Sequence, residues 1–172
     1  MGEGLDTGDI LEQSSIPIEE DDTGGSLFDK LAASGAELAA ETIDKIASGE
    51  VQPLPQDESL ATYAKKIDKS MGLIDWGRGA AEISRMVRAL NPWPSAYTYL
   101  GGKMLKIWKA TADASGPDAA SGTVTEVTKD SVTVSCGEGS LILKEVQLEG
   151  KKRMSVHDFL LGAGLTAGQV LG

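Results

Sequence analysis

Apolar residues along the chain change period near its middle, and the change divides the elements. Leu27, Leu31, Leu38, Ile43 and Ile46 recur at helical spacing with small alanines between them, and Gly49 follows. That pattern predicts one long helix, opened by a Ser26/Asp29 capping box and stopped by glycine. Before it, Asp9–Ile18 is a short β-branched run ending near Pro17 and is expected to be a strand. Val51–Leu60 carries Pro53 and Pro55 and reads as an extended connector, and Thr62–Lys69 as a short exposed stretch. Ala80, Ile83, Val87 and Leu90 then mark an amphipathic helix that Asn91-Pro92-Trp93-Pro94 ends.

From residue 96 the period falls to two. Ala96–Leu100 and Lys103–Lys109 flank Gly101-Gly102, a two-residue hairpin signal. Gly122–Val127, Val132–Cys136 and Ser140–Leu148 follow, separated by tight polar turns, and Ser155 with Asp158 caps a last short helix. Five short strands with close turns predict a small barrel or sandwich that can fold on its own. A strand and a helix cannot bury a core. Residues 1–49 are therefore expected to leave an apolar helix face uncovered, which invites self-association.

Charge sharpens this division. The net charge is −10 over 172 residues, but residues 1–60 hold 15 Asp/Glu against 2 Lys, and residues 61–172 hold 11 Asp/Glu against 14 Lys/Arg. The acidic total argues against indiscriminate nucleic-acid binding, while the basic second part permits phosphate contact on one face. One cysteine, Cys136, excludes an internal disulfide and a multi-cysteine zinc site. No run reaches the 18 apolar residues of a membrane span. The acidic start is unlike a signal peptide, and Asp6 stands where a myristoylation signal needs Ser or Thr. A cytoplasmic, membrane-free protein without a metal is the expectation.

Little in the chain announces chemistry. His157, the single histidine, lies in the first turn of a short helix and reads as a surface or capping residue. Cys136 and the three tryptophans, Trp76, Trp93 and Trp108, read as core because their neighbours are apolar. The exception is Gly4-Leu5-Asp6-Thr7-Gly8-Asp9, where an Asp stands between glycines. Either it is a plain turn, or it is a loop that lets backbone approach a ligand and a carboxylate orient a histidine.

Several stretches, in order, resemble the C-terminal half of the methionyl-tRNA formyltransferases. They are Gly4-Leu5-Asp6-Thr7-Gly8-Asp9-Ile10-Leu11, Glu20-Asp21-Asp22-Thr23 with Leu27-Phe28-Asp29-Lys30-Leu31, and Thr62-Tyr63-Ala64-Lys65-Lys66-Ile67. Ile74-Asp75-Trp76, Arg88-Ala89-Leu90-Asn91-Pro92-Trp93-Pro94, Leu105-Lys106-Ile107-Trp108-Lys109-Ala110 and Gly150-Lys151-Lys152-Arg153-Met154-Ser155 complete the set. The resemblance implies an α+β chain: a strand-helix remnant of a Rossmann-like formyltransferase domain (1–50), a linker (51–72) and a small OB-like barrel that holds tRNA (73–172). It implies formyl transfer from 10-formyltetrahydrofolate to the amino group of methionyl initiator tRNA, by a monomer that needs no metal. In that family an Asn and a His stabilise the developing oxyanion and an Asp pairs with the His.

Asp6 matches the catalytic Asp, and Gly4, Leu5 and Asp6 match part of the folate loop. The family's Asn-x-His segment has no counterpart among the 172 residues. The expectation is a truncated reading frame or gene fragment, inactive alone. Lys65, Lys66, Lys69, Arg85, Arg88, Lys106, Lys151, Lys152 and Arg153, with Lys103 and Lys109, are the expected tRNA contacts, directed at phosphate and shape. Two other readings stand beside this one: a stand-alone RNA-binding module, and part of another folate-dependent formyltransferase or hydrolase.

Overall fold

The computed structural model describes residues 4–116, 119–162 and 164–172. The chain forms two compact units: residues 1–20 with 25–66, and residues 21–24 with 67–172. The observed architecture is α+β with one antiparallel sheet.

α1 (Gly24–Ser48), which belongs to the first unit from Gly25 onward, is that unit's only regular element longer than a turn among the described residues. It begins two residues before the expected cap at Ser26. It ends as the sequence requires: Gly49 takes φ +75, Glu50 N–H donates to Lys45 C=O at 2.9 Å, and Gly49 N–H donates to Ile46 C=O at 3.2 Å. Those paired bonds satisfy carbonyls that the helix end would otherwise leave open, in a left-handed turn that glycine adopts without strain. No residue of α1 is buried. Phe28, Leu31, Ile43 and Ile46 are 72%, 54%, 64% and 53% exposed. With Ala32, Gly35 and Ala39 they make a stripe about 120° wide, bulky at both ends and small in the middle. Leu27 and Leu38 are instead half-buried.

The strand expected at Asp9–Ile18 does not form. Among the described residues its only ladder contact is the bridge between Ile10 and Leu54, whose amides and carbonyls bond reciprocally at 2.9 and 2.8 Å. β-branched residues favour a pleated surface only when a neighbouring strand completes it, and here none does. Lys45 Nζ donates to Glu12 Oε1 at 2.6 Å, which raises the lysine pKa and ties this segment to α1.

The second unit has a continuous core. Its elements are α2 (Ala80–Ala89), β1 (Ala96–Leu100), β2 (Lys103–Asp113), β3 (Val124–Val127), β4 (Val132–Ser135), β5 (Ser140–Leu148), β6 (Met154–Ser155) and α3 (Val156–Gly162). The sheet order is β1-β2-β5-β4-β3, with β6 beside β5. The C-terminal segment touches both outer strands: Gly172 N–H bonds Tyr99 C=O on β1, and Val124 N–H on β3 bonds Gln169 C=O. Ile83 and Val87 from α2, Leu105 and Ile107 from β2, Leu141, Leu143 and Val146 from β5, and Val156 from α3 are fully buried together. Ser155 caps α3, accepting from Asp158 N–H at 3.1 Å and donating to its carboxylate at 2.8 Å.

Two irregularities in the central strands fix which side chains face out. Ile107 pairs with Val146 and Lys109 with Glu145, so Trp108 is an extra residue in β2; Ala110 pairs with Leu143, so Lys144 is the extra residue in β5. Each bulge shifts the inward phase by one. Leu105, Ile107 and Ala110 are buried on β2, and Leu141, Leu143 and Val146 on β5. Without the shift, Lys109 would enter the core.

Candidate nucleic-acid interface and the Asp6 loop

The Asp6 loop is a tight exposed turn. Thr7 Oγ1 donates to Gly4 C=O at 3.2 Å, and Asp6 takes φ +57. Gln56 Nε2 donates to the carbonyls of Asp6 and Gly8 at 2.9 and 2.6 Å, which fastens the loop to the connector. Asp6 is exposed, and its carboxylate has no hydrogen-bond or ion-pair partner among the described residues. Gly4 and Leu5 are exposed beside it. The loop can present one carboxylate. In the second unit, His157 Nδ1 lies 3.1 Å from Lys129 C=O and 3.2 Å from Asp130 Oδ1.

The expected tRNA contacts fall into separate groups. Lys65 and Lys66 are exposed in irregular chain of the first unit. Lys69 is exposed at the start of a 3-10 turn, Lys69–Gly72, whose preceding residue, Asp68, accepts from Ser70; those bonds hold its carboxyl below the usual range. Arg85 is exposed on α2, but Arg88 is half-buried and its Nη1 donates to Asp22 C=O at 3.0 Å, a structural bond. Lys103 and Lys109 stand exposed along β2.

Lys106 and Arg153 do come together, around Trp108. The Arg153 guanidinium lies 4.9 Å from the indole centroid and Lys106 Nζ lies 5.8 Å from it, both within cation–π range. Arg153 also donates from Nε to Glu145 Oε2 at 2.7 Å, and its Nη2 pairs with the same oxygen. Lys151 and Lys152 extend from the adjoining turn, exposed and without an ion pair among the described residues.

The tryptophans correct the expectation that all three are core. Trp76 is 6% exposed, and its Nε1–H donates to Thr98 Oγ1 at 3.1 Å. Trp93 is 56% exposed on the loop after α2. Trp108 is half-buried, with its Nε1–H on Gln147 Oε1 at 3.0 Å. A signal for Trp108 was present in the alternation Leu105-Lys106-Ile107-Trp108, which puts Lys106 and Trp108 on one outward face. Cys136 is core as expected, and burial pushes its thiol up to about 11. Among the described residues no cluster of three His, Cys, Asp or Glu could hold a metal ion, and no helix is long and apolar enough to cross a membrane.

Known proteins match this chain along its whole length. It is 47% identical to a methionyl-tRNA formyltransferase of Lachnospira eligens over 100% of this chain and 56% of that protein. It is 45% identical to one of Bacillus subtilis over 100% of this chain and 55% of that protein. The chain thus spans about half the length of the curated relatives it matches. Among solved structures, HypX from Aquifex aeolicus in complex with tetrahydrofolic acid superposes with a TM-score of 0.64 at 17% identity, covering 94% of this chain and 28% of that one. An N-formyltransferase from Helicobacter canadensis in complex with folinic acid and dTDP-3-aminofucose gives 0.62 at 21% identity, covering 83% and 52%. At those identities the structures speak for the fold. The family described as "Formyl transferase, C-terminal domain" matches residues 66–164, more than half of the chain, and this protein belongs to that family.

Proposed function

We propose that the chain is the C-terminal part of a methionyl-tRNA formyltransferase, a cytoplasmic, monomeric enzyme of translation initiation. The intact enzyme moves a formyl group from 10-formyltetrahydrofolate, a substrate, to the amino group of methionine on initiator tRNA. The observation that carries this reading is 47% identity over the full chain to a protein of that activity. Residues 1–50 are the strand-helix remnant of a Rossmann-like catalytic domain, 51–72 the linker, and 73–172 an OB-like tRNA-binding barrel. A C-terminal segment bonded to both outer strands of the sheet supports a closed, barrel-like curl.

In this reading Asp6 is the carboxylate of the catalytic Asn, His and Asp. It would hold an imidazolium in place while the free amine attacks the formyl carbon. Its exposed carboxylate, on a loop fastened by Gln56, suits a partner supplied from outside the described residues. Asp6 without that imidazole stabilises no oxyanion, so the 172 residues alone give negligible formyl transfer. An assay with 10-formyltetrahydrofolate and methionyl initiator tRNA tests this; turnover near that of a full-length relative refutes it. The second unit binds tRNA through phosphate, so affinity falls steeply between 50 and 200 mM salt, roughly three- to fourfold for each phosphate contact. Binding that ignores salt overturns the electrostatic reading.

A further inference from the structure

We propose that Trp108 is a positioning residue. It braces the basic turn between β5 and β6 so that Lys106, Lys151, Lys152 and Arg153 meet the tRNA backbone as a preset array. The inference rests on the tRNA-binding reading above and adds to it a device that presents the cations.

The device starts in the backbone. The β2 bulge leaves Trp108 without a partner across the ladder. Its freed carbonyl, between two paired strands, accepts from Asn91 Nδ2 at 3.2 Å, so the irregularity is stabilised from a second element. The bulge re-phases the residues after it, sending Lys109 outward, while Trp108 keeps the outward face it shares with Lys106. From that face the indole grips the turn twice. Its N–H reaches Gln147 Oε1 at 3.0 Å, and Gln147 Nε2 passes the constraint to Lys151 C=O at 2.9 Å. Its ring seats the Arg153 guanidinium, whose remaining freedom Glu145 removes. Lys151 N–H closes the turn on Leu148 C=O at 2.9 Å. Both ends of the Lys151–Arg153 segment are therefore anchored while its two lysine heads stay in solvent.

Preset charge suits phosphate. Glu145 partly neutralises Arg153, which leaves Lys106 beside the ring and Lys151 and Lys152 on the adjoining turn as point charges. A turn whose backbone is already anchored loses less freedom on binding.

The test titrates the full 172-residue chain with unmodified initiator tRNA from 50 to 200 mM NaCl. Trp108→Leu should weaken binding roughly tenfold near 100 mM and flatten the slope of log K against log salt by about one to two phosphate contacts. Trp108→Phe, which keeps the ring face and loses only the N–H, should recover most of both. Lys151→Gln with Lys152→Gln should flatten the slope similarly, and Trp108→Leu should add little to it. Val146→Ala, a core truncation on the neighbouring strand, should lower thermal stability and leave the slope alone. Loss of folding in Trp108→Leu would itself contradict a positioning role for a half-buried side chain. A wild-type slope in folded Trp108→Leu, or a loss additive with the lysine pair, overturns the inference while leaving the tRNA reading intact. A wild-type chain without salt-dependent binding overturns the tRNA reading and this inference with it. Poly-glutamate displacing tRNA at equal charge concentration overturns the choice of RNA over an acidic partner.

Discussion

α1 and α2 were both legible from the same 3.6-residue period, yet no residue of the first is fully buried and the second supplies Ala80, Ile83 and Val87 to a shared core. Local signals fix a helix; they do not fix what covers it. α1 has a matched C-terminal stop and an amphipathic stripe, and still exposes Phe28, Leu31, Ile43 and Ile46. Ten-residue α2 is secured by tertiary packing, since an isolated helix of that length is marginal in water.

The largest effect is expected in the core that α2 covers. Leu143 is 1% exposed at the centre of β5, paired with Ala110 and Val132. Leu143→Ala should cost about 2–5 kcal/mol through lost transfer energy and a cavity. A calorimetric midpoint lower by on the order of 10 °C is the expected reading; an unchanged midpoint would mean that this core does not set the stability of residues 67–172.

A smaller effect is expected at Gly137. A Cβ there would stand 1.9 Å from Gly77 C=O, while the Gly137 amide donates to Trp76 C=O and Arg78 C=O at 2.9 Å each. Gly137→Ala forces backbone apart where the β4–β5 turn meets the start of α2, at about 1–3 kcal/mol. Denaturant unfolding should show a shifted midpoint with the same slope.

These sites also mark how far the sequence could be read. The second unit was legible because its turns are explicit: Gly101-Gly102 set the β1–β2 register, and Ser155 with Asp158 set the start of α3. The Trp108 bulge was not, because a one-residue insertion in one strand is defined only against its partner. Asp9–Ile18 misled for the related reason that strand propensity expresses itself only beside another strand. For the Asp6 loop, glycine spacing foretold a turn, and nothing local foretold that Gln56, some fifty residues on, would hold it.

Cys136 gives a milder, pH-dependent reading of the same core. Burial raises its thiol to about 11 from an ordinary value of 9.0. A native pKa above the unfolded one means that the folded state holds the proton longer. The resulting stability is fully present below about pH 9 and is lost as pH rises toward 11. At pH 8 the native thiolate fraction is about a hundredfold below that of the unfolded chain. Iodoacetamide should therefore label native chain slowly and chain in guanidinium readily. Rapid labelling at pH 8 without denaturant would show that the core around Cys136 opens.

The smallest effect is expected on α1, and its smallness is informative. Ile43 and Ile46 are exposed by 64% and 53%, so replacing both with Gln removes little packing. The thermal midpoint of the sheet unit should stay within the range of an ordinary surface substitution, about 0.5 kcal/mol. What should change is association. An uncovered stripe with bulky ends and a small middle is a surface that other apolar surfaces can close over, another α1 included. Sedimentation velocity at rising concentration should show the parent chain shifting to larger species and the double variant remaining small. If both chains sediment alike while the midpoint falls by several degrees, α1 is contributing to the core after all, and the contrast between the two helices is wrong.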